Sequence, residues 1–207
     1  MTALLNMQHP SLRILKKKLP EIQGKMLARG CFTTVYPRND KSVWKLTVDE
    51  FNYGLVKSDL SSKSNHFPTF IEDRGKVGEV EGLPIYLYAA EKLYPCKSNR
   101  IITNISRDFC KRYEATGLTL QPRNPRDEYR AILAAMSTSL DLPCSIRSAL
   151  NTLRDYTERL TCSLDLGNKS NYMLTSEGVI VLNDPIYDEH IIDEFINILN
   201  PDFNPFA

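Results

Sequence analysis

Apolar positions along the chain change period about halfway, and the elements they predict change with them. In the first half, after a short helix in which Leu12, Leu15 and Leu19 recur at helical spacing, the runs are short and strand-like. Cys31 to Tyr36 (CFTTVY) and Ser42 to Leu46 (SVWKL) flank a PRND turn, so they are expected to pair as a hairpin. Asp49 to Leu60 suits a short helix weakened by Gly54, and a strand-like run from Phe67 to Ile71 follows the polar SSKSN loop. Lys76 to Val80 and Leu83 to Ala89 form a second hairpin around Glu81-Gly82.

The second half has helical period. Ser106 to Thr116 predicts one helix. Asn124 and Pro125 open the next, with Tyr129, Ile132, Leu133, Met136 and Leu140 on one face. Ser145 opens a third, with a stripe of Ile146, Ala149, Leu150, Leu153, Tyr156 and Leu160. A late hairpin interrupts the helices, with Tyr172 to Leu174 and Val179 to Leu182 around Thr175-Ser-Glu-Gly178. A last helix is expected from Asp188, with Ile191, Ile192, Phe195, Ile196 and Leu199 inward and Asn200-Pro201 as its stop. The pattern predicts an α+β chain of two lobes. A β-rich lobe spans 1–93, a helical lobe with the late hairpin spans 94–207, and a ligand cleft is expected between them.

Composition narrows the function classes. A chain of 207 residues can bury a real core, and its 25% charged residues balance to a formal net charge of +1. No global field draws it to nucleic acid or membrane, and neither partner is expected. The one basic run, Arg13 with Lys16, Lys17 and Lys18, reads as the solvated side of the first helix. No apolar stretch is long enough to cross a bilayer, and the first residues lack a signal-peptide pattern. Five scattered cysteines without a C-x-x-C pair suit free thiols in a reducing cytoplasm. His9, His66 and His190 share no metal-ligand spacing and are expected at the surface.

Candidate chemistry gathers at the late hairpin. Antiparallel strands return the chain to its start, so Asn171 and Asp184 fall at one open end. An amide oxygen beside a carboxylate suits Mg²⁺, which takes few protein ligands and fills its shell with phosphate oxygens and water. Asp165 enters the same region, where a carboxylate could orient a hydroxyl nucleophile or accept its proton. The same residue types also serve as ordinary Asx turns, with no metal involved. Upstream, the loop Ala28-Arg-Gly30-Cys-Phe32-Thr33-Thr-Val35 precedes a strand carrying Lys45, an order that suits a phosphate clamp.

Taken together these residues resemble the protein-kinase-like family, and within it the small early serine/threonine kinases of podoviral bacteriophages. On the G-x-G-x-x-G-x-V pattern, Gly30 and Val35 match while Ala28 and Thr33 replace glycines. The resemblance implies that Gly30, Phe32, Val35 and Lys45 cover and hold ATP, and that Glu91 to Leu93 receive adenine at the interlobe hinge. It implies Glu50 as the partner of Lys45, Asp165 as the catalytic aspartate, and Asn171 with Asp184 (in Asn-Asp-Pro) as the Mg²⁺ ligands. The expected activity is transfer of the ATP γ-phosphoryl group to Ser/Thr of a host or phage protein in the host cytoplasm.

Two departures leave a rival open. The interval from Asp165 to Asn171 is one residue longer than in H-R-D-x-x-x-x-N, and Ser163 and Leu164 stand where His and Arg would. Either the loop carries an insertion or Leu166 takes the catalytic position, which would make the chain a pseudokinase that binds and modulates a host protein. The stretch after Asp184 leaves no room for an activation segment, so control by its phosphorylation is not expected. Target and oligomeric state leave no periodic signature.

Overall fold

The computed structural model describes residues 9–117, 126–158, 160, 162–188 and 191. The chain is α+β and divides into two compact units. One comprises residues 1–53, 70–92 and 188–207; the other comprises 54–69 and 93–187.

The first unit is built on a five-stranded antiparallel sheet. Helix α1 (Pro10–Lys18) is followed by β1 (Ala28–Arg29), β2 (Thr33–Pro37) and β3 (Ser42–Thr47). Helix α2 (Glu50–Lys57), which belongs to the second unit from Gly54 on, comes next, then β4 (Phe70–Val80) and β5 (Leu83–Glu91), and the strand order is β1-β2-β3-β5-β4. The β2–β3 hairpin forms around the PRND turn, with Val35 opposite Lys45. The β4–β5 turn is Glu81-Gly82, both at positive φ (50° and 82°), the mirror-image turn that matches strand twist. Buried Leu12, Leu15, Ile22, Tyr36, Trp44, Leu46, Ile85 and Leu87 make one core, which also receives Ile191. Strand β4 is longer than the periodicity predicts because three register shifts interrupt its alternation against β5.

The second unit holds β6 (Tyr94–Pro95), α3 (Arg100–Ala115), α4 (Arg126–Ser137) and α5 (Cys144–Thr157). After these come β7 (Cys162–Leu164), β8 (Tyr172–Leu174), β9 (Ile180–Leu182) and β10 (Ile186–Asp188). The sheets are β6-β8-β9 and β10-β7. The predicted late hairpin forms with Tyr172 opposite Leu182 and Leu174 opposite Ile180. In α5, Ile146, Ala149, Leu150 and Leu153 are buried as their stripe requires.

Four expectations need correction. Helix α3 begins at Arg100, not Ser106, because Asn99 caps it by accepting from the N–H groups of Ile101 and Ile102. Helix α4 stops at Ser137, which leaves Leu140 91% exposed in the following turn instead of on the inner face. Asp188 is the last residue of strand β10, not the first of a helix. His66 is only 6% exposed, not a surface residue. Its Nδ1 bonds the Ile180 carbonyl at 2.6 Å, and its own carbonyl accepts from the N–H of Leu182 at 2.7 Å. Asn124, Pro125, His190, Ile192, Phe195, Ile196, Leu199 and Asn200-Pro201 lie outside the described residues. All five thiols are free, and among the described residues no helix is long and apolar enough to cross a membrane.

Candidate functional site

The loop between β7 and β8 is built by a short series of contacts from each end. Asp165 leaves β7 with its N–H donated to the carbonyl of Pro185, at 2.9 Å. Gly167 lies against α3. Ser106 Oγ donates to its carbonyl at 2.7 Å, and a Cβ there would stand 3.2 Å from Cys110 Sγ, so the close approach favours glycine. Asn168 Oδ1 accepts from the N–H (3.1 Å) and hydroxyl (2.7 Å) of Ser170, an Asx turn that starts a 3₁₀ turn over Lys169–Asn171.

Asn171 closes the loop. Its Nδ2 donates to the Asp165 carbonyl (3.0 Å) and to Asp165 Oδ2 (2.7 Å). Both targets are acceptors only, so the amide must present its nitrogen to them and turn Oδ1 away. Among the described residues no donor meets that Oδ1, and none meets Asp165 Oδ1 either. Asn171 is 8% exposed, so its clamp on Asp165 is largely shielded from water. Its backbone carbonyl accepts from Asn183 N–H at 2.8 Å, which puts Asp184, half-buried, in the turn one residue further on.

Leu166 follows Asp165 and turns inward. It is 1% exposed, and its carbonyl accepts from the buried Tyr172 hydroxyl at 2.7 Å. Burial, then the neighbouring Asp165 carboxylate, push the Tyr172 phenol far above its ordinary value, so it stays protonated and donating. Ser163 and Leu164 are buried residues of β7.

Amide and carboxylate oxygens are the donor type that a hard cation takes. No three His, Cys, Asp or Glu side chains cluster among the described residues, so an all-protein cage is not formed. Asn171 Oδ1 and the Asp184 carboxylate would supply the protein ligands, and phosphate oxygens and water the rest, which is how Mg²⁺ is usually held.

The other expected residues lie in the first unit, apart from Leu93. Lys45 is buried at the centre of β3, its Cα opposite Val35 on one side and Tyr88 on the other. The loop before β2 is closed by the Gly30 N–H donating to the Thr33 carbonyl at 2.8 Å. A Cβ at Gly30 would meet only that carbonyl, at 3.7 Å, so the fold itself makes no steric demand for glycine there. Phe32 is half-buried against the core of this unit, and its carbonyl accepts from Val48 N–H (3.0 Å) and Thr47 Oγ1 (3.2 Å).

Glu50 is exposed in the first turn of α2, where it accepts a hydrogen bond from Tyr86; burial, with this carboxylate, raises Tyr86 to about 12. Beside it Asp49 is buried, accepting from Asn52 N–H and Nδ2 at 2.9 Å each; burial raises it to about 6, with the Asp188 charge adding to the rise. Glu91 ends β5 opposite Ser42, the Lys92 N–H donates to the Lys41 carbonyl at 2.9 Å, and half-buried Leu93 begins the longer segment of the second unit.

The structure thus brings Asp165, Asn171 and the Asn183-Asp184 turn to one end of the late hairpin. Sequence reading missed the residues that hold them, namely Ser106, Gly167, Asn168 and Tyr172. Asn168-Lys-Ser170 was a legible Asx signal; Ser106 and Tyr172 carry none, since their partners are carbonyls brought in by folding. Comparison with known families, with curated proteins and with solved structures finds no match to this chain.

Proposed function

We propose that this chain is a phosphotransferase of the protein-kinase-like kind, passing the γ-phosphoryl group of ATP to a Ser/Thr hydroxyl of a protein. The observation that carries the reading is the Asn171 clamp, two hydrogen bonds from one amide nitrogen to Asp165. It leaves two oxygens with separate tasks. Asp165 Oδ1 can accept from an incoming hydroxyl and aim it, while Asn171 Oδ1 faces away to share a cation with Asp184.

Bound Mg²⁺ would neutralise charge on the phosphates. Lys45, buried on β3, would add a second positive contact to them. Glu91 and Leu93 would offer backbone groups to the adenine, and Gly30, Phe32 and Val35 would cover the nucleotide. The order of a β-rich unit, then helices, then the late hairpin supports a kinase-like, two-lobed reading of the α+β fold.

One observation favours a second reading, a pseudokinase that binds and modulates a host protein: Ser163 and Leu164 are buried where the family has His and Arg. A thermal shift separates the two. A ligand that binds the native state alone raises its stability by about 2.7 kcal/mol at a hundred times Kd. The enzyme reading expects a magnesium-dependent rise in Tm with ATP, lost in Asp184→Asn, and label transfer from radiolabelled ATP to a protein in a cell lysate. No magnesium-dependent shift at saturating ATP sinks it and leaves the binding module.

A further inference from the structure

We infer that the outer face of α1 is a docking surface for an acidic protein segment that carries an apolar residue. Helix α1 has four cations, Arg13, Lys16, Lys17 and Lys18, and no acid in its first turn. Among the described residues, none of the four is in an ion pair. Arg13, Lys16 and Lys17, with Gln23, line a groove of about 470 Å³. With four positive charges here and a formal +1 for the whole chain, the remainder is net negative.

Helix stability does not account for this charge. The three lysines lie in the last turn, where the macrodipole favours them, but Arg13 lies in the first turn, where it does not. Arg13 also stands three and four residues before Lys16 and Lys17, a like-charge spacing that weakens a helix. The helix is nevertheless held firmly. Leu12 and Leu15 are buried, and a Cβ on Gly78 of β4 would meet Leu15 Cδ1 at 3.3 Å. His9 Nδ1 accepts from Ser11 N–H, so its Nε2 carries the proton donated to Glu81 Oε1 at 2.6 Å.

The occupant follows from what the face offers. Ile14 is 56% exposed among the cations, and a phosphate backbone would have nothing to bury on it. A lipid surface would need the apolar side of the helix, which the core already takes. The net-negative remainder of the chain also disfavours a long polyanion. A short acidic segment with one apolar side chain meets both the charge and Ile14.

The test is fluorescence anisotropy at low salt without nucleotide, so it is read independently of any phosphoryl transfer. Three labelled probes are compared: a peptide with Asp and Glu flanking a central leucine, the same peptide with serine for leucine, and oligodeoxythymidylate of equal charge. The leucine peptide is expected to bind tightest. It should lose at least about tenfold in Kd, or 1.4 kcal/mol, in Arg13→Glu/Lys17→Glu. Ile14→Ser should bring it down to the serine peptide. Arg13→Gln/Lys17→Gln repeats the test should the reversal fail to fold, as read by far-UV circular dichroism. Equal or tighter binding of the oligonucleotide, equal binding of the serine peptide, no binding of any probe, or indifference to both double variants would each overturn the proposal.

Discussion

Replacing Gly54 with alanine should reverse the usual effect of that change. In a helix interior, Gly→Ala ordinarily stabilises by about 1 kcal/mol, since alanine loses less backbone entropy. At Gly54 of α2, a Cβ would stand 2.5 Å from Tyr156 Oη on α5, closer than real Cβ atoms come. Relieving that contact means moving the tyrosine tip or the helix, and overpacking of this kind costs about 1–3 kcal/mol. The net expectation for Gly54→Ala lies between no change and a loss of about 2 kcal/mol. In a Tyr156→Phe background the next atom is Cζ at 3.8 Å, an ordinary contact. There alanine should recover its gain of about 1 kcal/mol.

A double-mutant cycle cancels whatever the hydroxyl does elsewhere, and its coupling term should be about 1–3 kcal/mol. Urea unfolding followed by far-UV circular dichroism reads it, since the three longest helices among the described residues, α3, α4 and α5, lie in the second unit with Gly54 and Tyr156. The only tryptophan, Trp44, lies in the first unit, and its fluorescence serves as the internal control. An alanine that stabilises the wild-type background by about 1 kcal/mol, with an additive cycle, would refute the close approach of α2 to α5.

Two further outcomes follow from carboxylates and their hydrogen-bond partners. Asp49 is raised to about 6 from 3.8, chiefly by burial, so the folded state binds its proton more tightly than the unfolded chain does. Its contribution is therefore fully present below the unfolded value and is lost as pH rises through about 6, a swing of about 3 kcal/mol. Asp49→Asn should flatten the stability difference between acid and neutral pH in urea titrations, and an unchanged pH profile would remove Asp49 as its source. Asn171→Ala leaves the Asp165 carbonyl and Oδ2 without their donor and should cost about 1–2 kcal/mol in the same titration, together with the ATP-dependent thermal shift. Wild-type stability in that variant would show that the clamp is not made.

Local pattern made part of this protein legible. Glu81-Gly82 between alternating apolar runs dictates a tight hairpin, and the late hairpin puts Asn171 and Asp184 at one end because strands of period two must return in register. The stripe of α5 predicted Ile146, Ala149, Leu150 and Leu153 inward because a helix of period 3.6 has only one such face. Those properties depend on neighbours in the chain alone.

Other features depend on what folding brings close. Leu140 matched the face of α4 but fell past its end and is exposed, whereas His66, polar and without a motif, is buried because the Ile180 carbonyl lies within hydrogen-bond reach. Gly54 weakens the helix as a sequence element and is nevertheless needed where Tyr156 approaches it. The spacing from Asp165 to Asn171 counts residues without saying how the chain turns. In the structure a 3₁₀ turn precedes β8, Leu166 is buried, and Asp165 meets the Asn171 amide. Spacing along the chain could not supply that hydrogen bond, because its donor and acceptor meet only once the loop is closed against α3 and β10.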